Sequence, residues 1–159
     1  MSLREAHPEL AEFLKVEHFS PSLNRLLDCD KEHRSICQAK CCTGGIGHGR
    51  YYASEVNRLP LHLLNRLREE EGLYLVPSEG GACSQMQDCM EHPEYKPIGC
   101  WLFPLKISKT GTLYLLRYAW LHCPLAKREN ITPIWKALEP ELRYLFGDSF
   151  LERMRKALS

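Results

Sequence analysis

Cys83-Ser-Gln-Met-Gln-Asp-Cys89 and, after ten intervening residues, Cys100 in Lys96-Pro97-Ile98-Gly99-Cys100-Trp101-Leu102-Phe103-Pro104 form the stretch that decides how this chain reads. Upstream lies a tighter group, Cys37-Gln-Ala-Lys-Cys41-Cys42, followed by a glycine-rich run. Downstream, Cys123 stands between His122 and Pro124. Seven of the eight cysteines thus fall at three places along the chain, two clusters and the single Cys123, flanked by Pro, Gly or aromatic residues. A cysteine used only for packing belongs inside a periodic apolar segment, where it behaves as a small hydrophobe. Cys29, at the end of a leucine-bearing segment, fits that description. The other seven are expected in turns and loop ends, where separate stretches of backbone bring thiolates to one point.

Thiolates are soft donors that suit zinc and iron. A closed zinc site takes about four ligands, and iron–sulfur clusters commonly take four cysteines. The candidate ligands are Cys37, Cys41, Cys42, Cys83, Cys89, Cys100 and Cys123, more than one site needs. They therefore serve two sites, or some are spectators. Side chains of neighbouring residues in extended backbone point to opposite faces, so Cys41 and Cys42 reach one centre only through a tight turn. Thr43-Gly-Gly-Ile-Gly-His-Gly49 follows at once, with backbone free to make such a turn. The spacing contains no Cys-x2-Cys pair and no His-x3–5-His, so it matches no standard zinc finger. The expected guest is zinc or an iron–sulfur cluster, and spacing does not choose between them.

Composition sets the frame. The chain has 159 residues, 44% apolar and 26% charged, with a net charge of +1. One globular domain is the expectation at this length. A near-neutral balance offers no basic field for nucleic acid, so no such partner is expected. The opening residues hold no apolar segment of signal-peptide length. No apolar run reaches the about 20 residues that cross a bilayer. The chain is therefore expected in the cytoplasm, without a membrane partner. Thiols stay reduced there and read as ligands or redox groups before disulfides.

In order along the chain, residues 3–15 show near-helical apolar spacing, with Pro8 placing the helix start near residue 8. Ser20-Pro21 is an N-cap pair for a short helix toward Cys29. Ser54 to Glu71 is expected to be helical, restarting at Pro60 and ending at Gly72. Leu73–Val76 leans to strand, and 78–99 reads as loop. Leu105–Ser108, a Lys-Thr-Gly turn and Thr112–Tyr118 read as a β-hairpin. Thr132-Pro133 opens a helix that Pro140 restarts and Gly147 stops, and Ser149-Phe-Leu-Glu152 forms a capping box for a last helix to Leu158. The expected architecture is a single α+β domain over 1–159, mostly α-helical, with a small antiparallel β-hairpin and irregular cysteine-bearing loops. Its metal-binding core spans 37–124 and its C-terminal helices 132–158.

The Cys37-x3-Cys41-Cys42 group, the Cys83-x5-Cys89 pair and the block Lys96-Pro97-x2-Cys100-x2-Phe103-Pro104 resemble the YkgJ-type cysteine-cluster family, over residues 37–124. That resemblance implies a zinc- or iron-chelating protein. The family opens with a CxxCxxCC-like run, whereas here three residues separate Cys37 from Cys41 and no cysteine stands three before Cys37. The flagellin lysine N-methylases have a similar cysteine pattern. This implies an alternative, a cluster-dependent protein-modifying enzyme. A thiol redox sensor without metal is a third reading.

Other motifs fall away. Gly44 and Gly49 have Walker spacing, but Arg50-Tyr51 stand where Lys-Ser/Thr is required. His48, His92 and His122 lie near cysteines and read as surface or outer-shell groups. Asp88, Glu91 and Glu94 read as solvated charges, with no constrained partner for acid–base work. His122 does not activate Cys123, because adjacent side chains diverge. Trp101, Phe103, Trp120 and Trp135 read as core, or as apolar cover for the site.

Overall fold

A computed structural model describes residues 2–27, 50–79, 82–83, 86–117 and 131–159. Residues 78, 79, 82, 83, 86, 87, 90 and 93 are described by backbone alone. In chain order the regular elements are α1 (Leu3–Ala6), β1 (His18–Phe19), β2 (Arg50–Tyr52), α2 (Leu61–Leu64), β3 (Arg68–Glu70), β4 (Leu73–Leu75), β5 (Ser78–Glu79) and β6 (Ala82–Cys83). They continue with α3 (Met86–Glu91), α4 (Ile98–Leu102), β7 (Leu105–Ile107), β8 (Thr112–Leu115), α5 (Ile134–Ala137), α6 (Glu139–Phe146) and α7 (Asp148–Leu158). The fold is mixed α+β. Among the described residues no helix is long and apolar enough to cross a membrane. The chain divides into two compact units, one from Met1–Cys37 with Leu102–Ser159, the other Gln38–Trp101.

In the first unit, β7 and β8 pair antiparallel, with Leu105 opposite Leu115 and Ile107 opposite Leu113. Gly111 closes the turn at φ 83°, a conformation that L side chains resist. Its carbonyl accepts the Glu17 and His18 N–H groups at 2.8 and 3.1 Å, which brings β1 alongside β8 in parallel. Leu113 and Leu115 are buried while Thr112 and Tyr114 are half-buried, the period-two signature of a one-faced sheet. On α7, Phe150, Leu151 and Met154 form one apolar stripe. That helix packs on α6, on β1 and on a 3-10 turn at Pro21–Asn24. Phe146 and Phe150 stack at 4.1 Å, and Phe19 meets Phe150 edge-on at 5.4 Å. The Arg153 guanidinium lies over Phe19 and Phe150 and donates to the Val16 carbonyl at 2.7 Å.

In the second unit, β2, β4 and β3 form an antiparallel sheet in that order, with Tyr51 and Glu69 both opposite Tyr74. Its core is Tyr51, Leu59, Leu63 and Val76, flanked by Val56, Leu64, Leu67, Tyr74 and Tyr95. The edge strand β3 exposes Arg68, Glu69 and Glu70, charges that discourage strand pairing with another chain. A second antiparallel pair joins β5 and β6, with Ser78 opposite Cys83.

Several local expectations change. The helix predicted from Ser54 to Glu71 is a 3-10 turn (Val56–Arg58) and the single-turn α2, followed by a β-hairpin. Gly72 does take the left-handed conformation expected of a helix cap. Glu71 takes it too, at φ 53° beside 81° for Gly72. Two successive positive φ values make a two-residue hairpin turn. The first helix starts at Leu3 and not near residue 8, because Ser2 and Glu5 cap it reciprocally. Among the described residues after Ser20 only the 3-10 turn forms, since Arg25 is extended and Leu26 bridges Pro133. The capping box expected at Ser149 is replaced by a start at Asp148 behind Gly147. The segment 78–99, read as loop, holds β5, β6, α3, a 3-10 turn at Pro93–Tyr95 and the start of α4. These pieces are two to six residues long, too short to show a period.

Candidate functional site

The segment that carries Cys100 is held from a distance. In Tyr95-Lys-Pro-Ile98, Pro97 and Ile98 are buried, and the Pro97 carbonyl accepts from the Cys100 and Trp101 N–H groups at 3.0 Å each. A helix start leaves its first N–H groups without helical acceptors. The Ile98 N–H finds one in Glu55 Oε1 at 2.8 Å. The carbonyls just before it are met from the same stretch as Glu55: Tyr51 Oη–H donates to the Tyr95 carbonyl, and Arg58 donates to the Lys96 carbonyl at 3.0 Å. Three side chains within eight residues thus satisfy three backbone groups within four.

Glu55 is fully buried. Its other oxygen accepts the Tyr52 N–H at 2.8 Å, and Arg58 lies 3.3 Å from Oε1. Glu55 sits here because the chain turns directly after β2, where its own N–H donates to the Tyr52 carbonyl at 2.9 Å. Burial pushes its carboxyl above the usual glutamate range, against the opposing pull of the Tyr52 and Ile98 hydrogen bonds and the Arg58 charge. Past Ile98, Lys96 Nζ lies 4.8 Å from the Trp101 ring centroid, a cation–π contact over a half-buried indole.

Cys89 and Cys100 are partly buried thiols on α3 and α4. Asp88, next to Cys89, lies 3.6 Å from Arg66 and 3.9 Å from His62. His92 rests against Tyr95, ring centroids 5.0 Å apart, and is 3.4 Å from Glu94. Half-exposed, it fits the surface role expected of it, as exposed Glu91 and Glu94 fit theirs. Trp135 belongs to the first unit, where it is buried and its Nε1–H donates to Asn24 at 3.0 Å.

Of the predicted ligands, Cys83 is placed by its backbone on β6. Cys37, Cys41, Cys42 and Cys123 lie outside the described residues, as do Cys29, His48, His122 and Trp120. Cys83, Cys89 and Cys100 are on a strand and two helices, not in the irregular loops expected for them. Among the described residues no group of three or more His, Cys, Asp or Glu side chains is arranged to hold a metal ion. Two described thiols are half of the about four ligands that a closed site takes.

Sequence reasoning missed Glu55. The only local signal was an acidic residue after Ser54, in a segment read as helix, and its partner Ile98 is 43 positions away. No family model, characterised protein or solved structure matches the chain.

Proposed function

We propose that this chain is a metal-binding protein holding zinc or an iron–sulfur cluster through cysteines drawn from Cys37, Cys41, Cys42, Cys83, Cys89, Cys100 and Cys123. The observation that carries the reading is the grouping of six of eight cysteines into two clusters along the chain, with Cys123 downstream between His122 and Pro124. The partial burial of Cys89 and Cys100 supports it, because a ligating thiolate must be shielded from water yet reachable by an ion. So does the fixed backbone before Cys100. Two or more further thiolates from the remaining five would complete the set, consistent with the resemblance to the YkgJ-type cluster proteins.

A bound ion would hold the sulfurs as thiolates and join these segments to one another. Elemental analysis and visible absorption of anaerobically purified protein test the reading. The expected result is stoichiometric zinc, or iron with sulfide and a charge-transfer spectrum. Protein with neither metal, whose thiols all react at once with a thiol reagent, would overturn it.

A further inference from the structure

The side-chain hydrogen bonds described to the backbone of residues 95–98 come from Tyr51, Glu55 and Arg58, and Glu55 is the hub: it binds Ile98 directly and also meets Arg58, which binds Lys96. From the geometry we infer that Glu55 is a positioning residue for Cys100, holding the start of α4 in place so that the Cys100 thiol is set before any ion arrives. Its meaning for metal capture rests on the metal-binding reading above; its effect on Cys100 does not.

In the first turn of α4, Ile98 is buried and its N–H is bound by Glu55. This helix is five residues long, and an isolated helix of that length does not persist in water. A buried carboxylate with two backbone N–H groups and a guanidinium around it cannot move without leaving buried partners unmet. Cys100 lies two residues past Ile98, in the same turn. Cys89 is on a different helix, whose last turn is closed by its own backbone, with the His92 N–H donating to the Asp88 carbonyl at 2.8 Å. Releasing Glu55 should therefore free Cys100 and leave Cys89 nearly as it was. A ligand set in advance lowers the ordering cost of binding.

The test compares the two cysteines in the full-length, reduced, chelator-stripped protein. Iodoacetamide alkylation of each is timed by mass spectrometry in the parent and in Glu55→Gln. Glutamine can turn its one oxygen to Ile98 or to Tyr52 but not both, and sets an amide NH2 against the other N–H. The expected result is that the Cys100 rate rises about tenfold or more, the size of losing one charge-assisted hydrogen bond from a local opening equilibrium, while the Cys89 rate moves less than about twofold. A general loosening would raise both rates together, and that outcome overturns the proposal, as does no change in either.

Amide exchange on the unsubstituted protein provides a second readout that does not depend on the variant folding. Ile98 N–H should be protected about a hundredfold or more although it opens a short helix, and exchange at the rate of an open amide would sink the inference. A selective rise at Cys100 in a protein that never takes up zinc or iron would keep Glu55 in this role and remove the metal reading. Metal-loaded protein with no selectivity between the cysteines would do the reverse.

Discussion

Two glutamates in this chain do the same work in opposite surroundings. In the first unit, Glu5 accepts the Ser2 N–H at 2.9 Å while Ser2 Oγ accepts the Glu5 N–H at 3.2 Å, closing α1. In the second, Glu55 accepts the Tyr52 and Ile98 N–H groups at 2.8 Å each. Glu5 is exposed, and its Ser2 hydrogen bonds hold its carboxyl below the usual range. Glu55 is buried, and desolvation outweighs its hydrogen bonds and drives its carboxyl upward. The hydrogen-bond chemistry is shared; access to water decides the sign. Glu5 closes a contact three residues long, whereas Glu55 ties β2 to a segment more than forty residues on.

The largest effect that would break this contrast is at Glu55. Glu55→Ala strips buried acceptors from Tyr52 and Ile98 and leaves the Arg58 charge without its carboxylate. Removing one partner of a buried pair costs about 3–5 kcal/mol. Urea unfolding followed through the amides of the β2–β4 sheet should show a loss of that size. A loss under about 1 kcal/mol, the scale of an exposed pair, would mean that water already reaches Glu55.

The pH dependence is a finer test. Because burial raises Glu55, the fold binds its proton more tightly than the unfolded chain does. Its titration therefore contributes stability that is full below the ordinary glutamate value and is lost as pH rises through the raised one. Glu55→Gln has no such titration. The stability of the parent relative to Glu55→Gln should accordingly grow as pH falls from neutrality through that window. A gap that shrinks on acidification would show that Arg58 and the two N–H groups dominate over desolvation.

What could be read from the residues follows the same division between near and far. Strand β8 shows its alternation, and Gly111 beside it must carry the turn. The C-terminal helices are punctuated locally by Pro133, Pro140 and Gly147, so their order needed no tertiary information. The segment from Ser54 to Glu71 misled because Leu61, Leu64 and Leu67 have helical spacing, yet the positive φ at both Glu71 and Gly72 turns the chain into a hairpin. Leu64 and Leu67 pack on the Tyr51 core of the sheet all the same, but Leu61 is exposed and Leu63, off that spacing, is fully buried, so the spacing marked neither the element nor its whole buried face. Around the cysteines, two-residue strands and one-turn helices leave no periodic trace. Glu55 has a role only because Ile98 arrives opposite it, and nothing in Tyr51-Tyr-Ala-Ser-Glu55 announces that.

The smallest effects lie at the exposed end of the comparison. Ser2→Ala removes the hydroxyl that caps α1, and a lost cap costs about 1 kcal/mol. Glu5→Gln keeps an oxygen for the Ser2 N–H but loses the charge, so its effect should be smaller still. Its pH profile is the informative part. Glu5 is held below the ordinary range, so its contribution is present above the ordinary value and is lost as pH falls through the lowered one. The gap between the parent and Glu5→Gln should therefore close on acidification, while the gap at Glu55 opens. Amide exchange at Ala6 and His7, whose N–H groups donate to Ser2 and Leu3 at 3.0 and 2.9 Å, reads the first gap without interference from the second unit. If both gaps closed on acidification, water access would not be what separates the two carboxylates, and the buried hydrogen bonds of Glu55 would have to be stronger than its desolvation.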